Sequence, residues 1–223
     1  MQESWEIDSA EHFKSFFKLH IVNNDNFNKE YELINNLSYN FQYLQFLTNV
    51  LKREDLREVI WRLNIKTYVI VSTSIIECIL DYYLILIGEY KTSEWIEMEK
   101  SKSSSNTYVI GKNQLKNVTI THKKTELFLV KMKFDDVLKK IKDKQLLGEN
   151  NELYKSLDKI KKLRNKVHLN NIEADRDHDW NNFRKTEYYE CSKCLRDILK
   201  SNIFNVTIDE LKDKFVFLTN RIK

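Results

Sequence analysis

Residues 153–168 read LYKSLDKIKKLRNKVH, and this stretch has the pattern of an amphipathic helix that packs against a core. Leu153, Leu157, Ile160 and Val167 follow the three- and four-residue spacing of a helix face that packs inward. Arg164 occupies the position on this face between Ile160 and Val167, where an aliphatic residue is expected. Because an unpaired charge facing a core is costly, the arginine indicates an interface or cleft in which an anion or carboxylate meets it.

His168 follows Arg164 by four positions. If the helix continues, the two Cβ atoms lie about 5–6 Å apart on one side, which favours an anion site. The alternative is a helix end, where an arginine and a histidine complement the exposed carbonyls of the last turn. Asn170 and Asn171 lie just beyond His168, after Leu169, and suit such an end.

The composition favours an all-α domain. The chain has 223 residues, no proline and three glycines, so it lacks the residues that punctuate the turns of sheet-rich folds. A formal charge of +4 permits nucleic-acid binding without requiring it. Three cysteines and the absence of an apolar leader predict a reduced, cytoplasmic setting. The apolar stretch 68–87 carries Glu77 and Asp81, which favours a buried core helix over a membrane span.

The periodicity predicts a series of helices. A short helix around residues 11–17 and a second over 31–51 are separated by an Asn-rich break at 23–28. One very long helix is expected over 53–90, with Gly88 as its end signal. The short β-branched runs 107–111 and 117–121 make a small hairpin a candidate insertion after the flexible connection 100–106. Helical pattern resumes near Lys124, and further helices are predicted over 180–201 and 208–222.

A family resemblance rests on Leu163-Arg164-Asn165-Lys166-Val167-His168-Leu169, with residues 74–80 (SIIECIL) on an earlier helix. Together these segments resemble the HEPN superfamily, whose members are compact, typically dimeric helical bundles among toxins, phage-defence proteins and RNA-processing factors. The resemblance covers roughly residues 53–201. It implies a single domain over 1–223, with an N-terminal helical extension over 1–52 and a C-terminal helix over 202–223.

The family motif is an arginine, a polar residue and then a histidine, usually after about four to six intervening residues. Here three residues separate Arg164 from His168. The resemblance implies metal-independent RNA cleavage without a cofactor, in which the ribose 2′-hydroxyl attacks the neighbouring phosphate. His168 would transfer protons, Arg164 would stabilise the phosphate charge, and Asn165 would orient the histidine or a phosphate oxygen.

Two further groups are candidates to support this site. Ser74, Glu77 and Asp81 form a polar line on the long helix, from which Glu77 or Asp81 would pair with Arg164 or position His168; the alternative is that they face solvent. The lysines around the motif could form a phosphate track or simply a solvated helix face. The RNA-binding candidates are Lys161, Lys162 and Lys166.

Other motifs carry weaker signals. Cys191 and Cys194 have the spacing of half a zinc site but no second pair, so no metal is expected. Tyr188 and Tyr189 could stack on bases, although helix packing explains at least one of them.

Three functional classes therefore stay open. The first is a homodimeric endoribonuclease of phage defence or a toxin–antitoxin system, with RNA as substrate and an antitoxin or defence-system protein as candidate partner. The second is a catalytically inactive HEPN-type module that binds RNA, nucleotide or protein. The third is a structural adaptor in which Arg164 pairs with Glu77 to fix helix packing. No membrane partner is expected.

Overall fold

The computed structural model describes residues 7–53, 55–98, 107–110, 112–116, 120–149, 151–167, 179–204 and 206–222. Within these residues the chain forms seven α-helices, two 3-10 turns and four short strands. The predicted all-α fold with a small β insertion is confirmed. The helices are α1 Ala10–His20, α2 Glu30–Arg53, α3 Glu58–Leu86, α4 Phe134–Asp143, α5 Asn151–Lys166, α6 Lys185–Leu199 and α7 Ile208–Lys214.

The chain divides into two compact units. Residues Met1–Glu89 and Lys133–Lys223 form the helical unit, which contains all seven helices of the described chain. Tyr90–Met132 form the β unit, which contains the four strands. The helical sequence is therefore interrupted between α3 and α4 by a segment with its own contacts.

Helix α3 is the centre of the helical unit and contacts α2, α4, α5 and α6. Its buried side chains lie at most positions between Ile65 and Leu84 because the sequence there is almost continuously apolar. The buried Tyr68 hydroxyl lies 2.8 Å from Ser192 Oγ on α6, which satisfies both polar groups inside the core. By length and composition α3 is also apolar enough to cross a membrane, and 50% of its most apolar 18-residue segment is buried within the protein.

The N-terminal helices are joined to the C-terminus by an aromatic cluster. Phe215, just after α7, lies 4.9 Å ring to ring from both Phe16 on α1 and Phe41 on α2. Phe13 is 5.8 Å from the same ring. Helix α7 begins with a capping box, in which the Thr207 hydroxyl accepts from the Glu210 N–H and the Glu210 carboxylate accepts from the Thr207 N–H.

The predicted helix over 53–90 is wrong at its beginning and right at its end signal. Helix α2 runs on to Arg53, and α3 begins only at Glu58. At the other end α3 stops at Leu86, and Gly88 adopts a φ of 72°, a left-handed conformation that glycine tolerates best.

Two later helix predictions are too long. The segment 180–201 contains a 3-10 turn, Asp179–Asn182, before α6 begins at Lys185. The segment 208–222 divides into α7 and a second 3-10 turn, Val216–Thr219. The side chains of Tyr188, Cys191 and Leu195 on α6 are nonetheless fully buried.

The β unit differs most from expectation. Strand β1 Thr92–Glu97 pairs antiparallel with β4 His122–Leu129, and β2 Thr107–Ile110 pairs with β3 Asn113–Lys116. The predicted first strand over 107–111 is found, but its partner is β3 rather than the run 117–121, of which residues 117–119 lie outside the described part. The prediction of helix from Lys124 is wrong, because Lys124 lies within β4 and the next helix begins at Phe134. The predicted connection 100–106 also lies outside the described residues.

Candidate functional site

Arg164 lies in the last turn of α5, on the face that the apolar spacing defines. Leu153, Leu157 and Ile160 of that face are buried. The Arg164 side chain is 39% exposed, so it lies at the edge of the core and remains accessible to a ligand. A helix face that is apolar for about two turns thus ends in an accessible guanidinium.

The carboxylate that meets this guanidinium belongs to Glu77 of α3. Arg164 Nη2 lies 3.1 Å from Glu77 Oε2, and the Glu77 side chain is 19% exposed. A half-sheltered pair of this kind is stronger than a fully exposed one because solvent screens it less. Two predicted site residues from different helices are therefore brought together.

Helix α4 supplies the third wall of the site. The Arg164 guanidinium carbon lies 5.8 Å from the centre of the Phe134 ring, within the range of a cation–π contact. Asp135, the next residue, lies 3.1 Å from Lys161 Nζ on α5. The arginine is held between a carboxylate and an aromatic ring.

The remaining members of the predicted polar line differ in environment. Ser74 is exposed, and its hydroxyl donates to the Ile70 carbonyl at 2.9 Å. Asp81 is half-buried. Between the two acids, burial and the charges of Asp81 and Glu77 raise the pKa of the Cys78 thiol to about 11. Cys78 is consequently protonated at neutral pH and is no nucleophile for this site.

His168, the predicted proton-transfer residue, lies outside the described residues. Helix α5 ends at Lys166, and Val167 forms a turn in which its N–H donates to the Arg164 carbonyl at 3.3 Å. Asn165 is exposed in the last turn of the helix. The spatial relation of Arg164 to His168 therefore stays a prediction.

The three predicted RNA-binding lysines have different surroundings. Lys161 forms the ion pair with Asp135, Lys162 is exposed, and Lys166 is half-buried. Only exposed or weakly paired cations can exchange their partner for a phosphate at low cost. Lys162 fits that requirement best.

The cysteine and tyrosine pairs of α6 serve packing. Cys191 and Cys194 are buried free thiols whose pKa values burial raises well above the usual range. The described residues contain no group of three or more His, Cys, Asp or Glu side chains arranged to hold a metal ion. Tyr188 is fully buried with its hydroxyl 3.3 Å from Thr48, and the partly exposed Tyr189 accepts from the Ile222 N–H.

Two features near the site are not predicted by the sequence analysis. The first is the position of Phe134 and Asp135, because nothing local in the sequence shows that the start of α4 lies beside the end of α5. The second feature is an exposed apolar stripe on α3, formed by Ile60, Leu63 and Ile70, of which Ile60 is 48% exposed. Its three- and four-residue spacing continues through Thr67 and Ser74 to Glu77 and was a detectable signal.

Comparisons with models of known protein families, with curated proteins and with solved structures give no significant match. The resemblance to the HEPN superfamily stays a prediction.

Proposed function

We propose that this protein is a metal-independent endoribonuclease of HEPN type, acting in phage defence or as the toxin of a toxin–antitoxin system. The observation that carries the proposal is the guanidinium of Arg164, which Glu77 and Phe134 orient while 39% of the side chain stays exposed. An oriented, accessible guanidinium suits a phosphate because its fork of donors matches two phosphate oxygens.

The reaction follows from the chemistry of RNA. A base removes the proton of a ribose 2′-hydroxyl, the 2′-oxygen forms a bond to phosphorus, and the bond to the 5′-oxygen of the next nucleotide breaks. That leaving oxygen receives a proton, and a 2′,3′-cyclic phosphate remains. His168 is the proton-transfer group because an imidazole titrates near neutral pH. Arg164 stabilises the negative charge that develops on the phosphate oxygens.

A second copy of the chain is part of the proposal. The exposed stripe of Ile60, Leu63 and Ile70 lies on the same helix as Glu77, at the spacing used by paired helices. An exposed apolar stripe gains free energy when another apolar surface covers it. A dimer formed through α3 would place the Arg164–Glu77 pair at the margin of the interface.

A catalytically inactive HEPN-type module that binds RNA, nucleotide or a protein partner is the second candidate. The ion pair to Glu77 favours it, because Arg164 already has a carboxylate partner, and only three residues separate Arg164 from His168. The structural adaptor also predicts this ion pair. It gives no reason, however, for a partly exposed arginine.

The test is cleavage of a mixed RNA pool by purified protein in EDTA. We expect wild type to cleave, and Arg164→Ala and His168→Ala each to lose at least about 100-fold in rate. Arg57→Ala is the matched control, because Arg57 is also an exposed arginine. Its side chain makes no capping hydrogen bond at the start of α3, so its removal should not disturb that helix. Folded wild type that leaves every RNA intact would move the assignment to the binding module.

A further inference from the structure

The outward side of α5 carries a row of lysines. The row contains Lys155, Lys159, Lys162 and Lys166, which follow one another after four, three and four residues. At 3.6 residues per turn these positions lie within about 60° of one another around the helix axis, and the row is about 16 Å long. The first three lysines are exposed and Lys166 is half-buried. We call this row the α5 lysine face.

The net charge of α5 distinguishes it from the other helices of the described chain. Residues Asn151–Lys166 contain five lysines, one arginine, one glutamate and one aspartate, which gives +4. Within their bounds, the other six helices carry net charges between −1 and +1. Helix α5 is therefore a local concentration of positive charge, and such a patch attracts a polyanion.

Interactions within the protein account for only part of this charge. Lys155 lies 2.8 Å from Glu152, and Lys159 lies 2.9 Å from Glu190 on α6. The two lysine side chains are 69% and 60% exposed, so both pairs are readily exchanged for another anion. The helix dipole favours a cation at Lys166, in the last turn, but not at Lys155, in the second turn. The row thus keeps positive charge that an external anion can neutralise.

The chemistry of this surface favours a nucleic acid over a membrane or a protein. All exposed residues of α5 are polar: Asn151, Glu152, Lys155, Asp158, Lys159, Lys162 and Asn165. A membrane-surface helix needs apolar side chains that enter the acyl region, and a protein interface needs aromatic or aliphatic anchors and contains few lysines. A phosphate backbone needs only cations and hydrogen-bond donors.

We propose that the α5 lysine face binds the phosphate backbone of single-stranded RNA without reading its sequence. The choice of RNA over DNA rests on the proposed function, in which RNA is the substrate. The face contains no exposed aromatic ring on which a base could stack, so its contacts are electrostatic and depend on salt. Its role is to raise the local concentration of the substrate.

The face and the Arg164 site lie on opposite sides of α5. Arg164 is about half a turn around the helix axis from the lysine row. Of the three predicted RNA-binding lysines, Lys162 and Lys166 belong to the face. Lys161 does not, because it lies toward α4, where its ammonium group forms an ion pair at 3.1 Å. The face therefore contacts a part of the RNA away from the phosphate at Arg164.

The test measures binding apart from cleavage. A short fluorescent RNA oligonucleotide with 2′-O-methyl groups lacks the attacking hydroxyl, and its anisotropy reports the affinity of the full chain at several salt concentrations. Lys155→Gln/Lys159→Gln/Lys162→Gln should reduce the slope of log affinity against log salt by about 2, since each phosphate contact on a single strand contributes about 0.7. Lys155→Arg/Lys159→Arg/Lys162→Arg should retain the slope, because arginine keeps the charge.

Lys18→Gln/Lys52→Gln/Lys212→Gln is the matched control. It removes the same amount of charge from exposed positions on α1, α2 and α7. Lys18 and Lys212 each pair with a carboxylate, at 3.1 and 3.7 Å, as two lysines of the α5 face do. The slope should stay unchanged in this variant. An equal reduction in both glutamine variants would overturn the proposal, because net charge rather than position would then determine binding.

The outcomes separate the α5 lysine face from the proposed nuclease. A reduced slope in the α5 glutamine variant of a protein that never cleaves RNA would support the face and refute the nuclease. An unchanged slope in that variant, or no RNA binding by folded wild type, would overturn the face even if wild type cleaves RNA in EDTA. Binding to phosphatidylserine vesicles without binding to the oligonucleotide would also overturn it, and would assign the face to a membrane surface.

Discussion

Arg164 is oriented by Glu77, a partly sheltered carboxylate, and its charge alone does not define the site. The side chains of Arg164 and Glu77 are 39% and 19% exposed, so their pair lies between a surface ion pair and a buried one. We expect Arg164→Met and Glu77→Gln each to lower the free energy of unfolding by about 1–2 kcal/mol, with a coupling energy of about 1 kcal/mol. Urea denaturation of the two single variants and the double variant measures the coupling.

The Lys155–Glu152 pair of α5 is the matched control. Its atoms are as close, at 2.8 Å, but both side chains are about two-thirds exposed. Solvent screening should reduce its coupling to below about 0.5 kcal/mol. If the two pairs gave the same coupling energy, Glu77 would not fix the arginine, and the orientation argued for Arg164 would lose its basis.

The sequence could predict Arg164 because a break in a helical stripe is a local signal. Glu77 was predicted as one of two acids by the polar line through an apolar helix, again a local pattern. Phe134 could not be predicted as a wall of the site, since its proximity to Arg164 depends on how α4 and α5 pack. The residue pattern within a helix shows which face is apolar and which is polar. Which other helix packs against each face is decided by the tertiary structure.

At the scale of elements, α1 and α2 are held by the aromatic cluster around Phe215. This ring is buried against Phe13, Phe16 and Phe41. Phe215→Ala should lower the free energy of unfolding by about 3–5 kcal/mol, because truncation removes apolar contacts and leaves a cavity. Urea denaturation followed by circular dichroism provides the measurement.

The adjacent Val216 supplies the control for that substitution. It is exposed, so Val216→Ala should change the free energy of unfolding by no more than about 0.5 kcal/mol. A Phe215→Ala variant as stable as Val216→Ala would mean that the C-terminal segment does not hold the first two helices. They would then behave as a separate N-terminal extension.

Strand pairing limited what the sequence could predict about elements. Helices α1, α2, α5 and α6 follow from periods of three and four residues, which a short window contains. The sequence predicts a helix from Lys124 where β4 is found, because the partner strand β1 is separated from β4 along the chain by the β2–β3 hairpin. A register shift between Ser93 and Trp95 further obscures the alternation that would identify these strands.

At the scale of the whole molecule, the net charge is distributed unevenly between the two units. The basic charge is concentrated in the β unit, while the helical unit is neutral in sum and carries the exposed stripe of α3. A neutral surface with an apolar stripe favours association of like with like, because no net repulsion opposes it. The exposed stripe therefore assigns the proposed dimer interface to the helical unit.

The dimer is therefore expected to depend on α3. Wild type should sediment at twice the 26.9 kDa mass of the chain, whereas Leu63→Glu/Ile70→Glu should sediment as a folded monomer because buried carboxylates without partners are costly. Leu19→Glu, a substitution of an exposed leucine on α1, should remain dimeric. A cleft shared by two copies further requires that the monomeric variant lose RNA cleavage while Leu19→Glu retains it. Wild type that is monomeric throughout the micromolar range would refute the α3 interface, and a monomeric variant with full cleavage would show that one copy of Arg164 suffices.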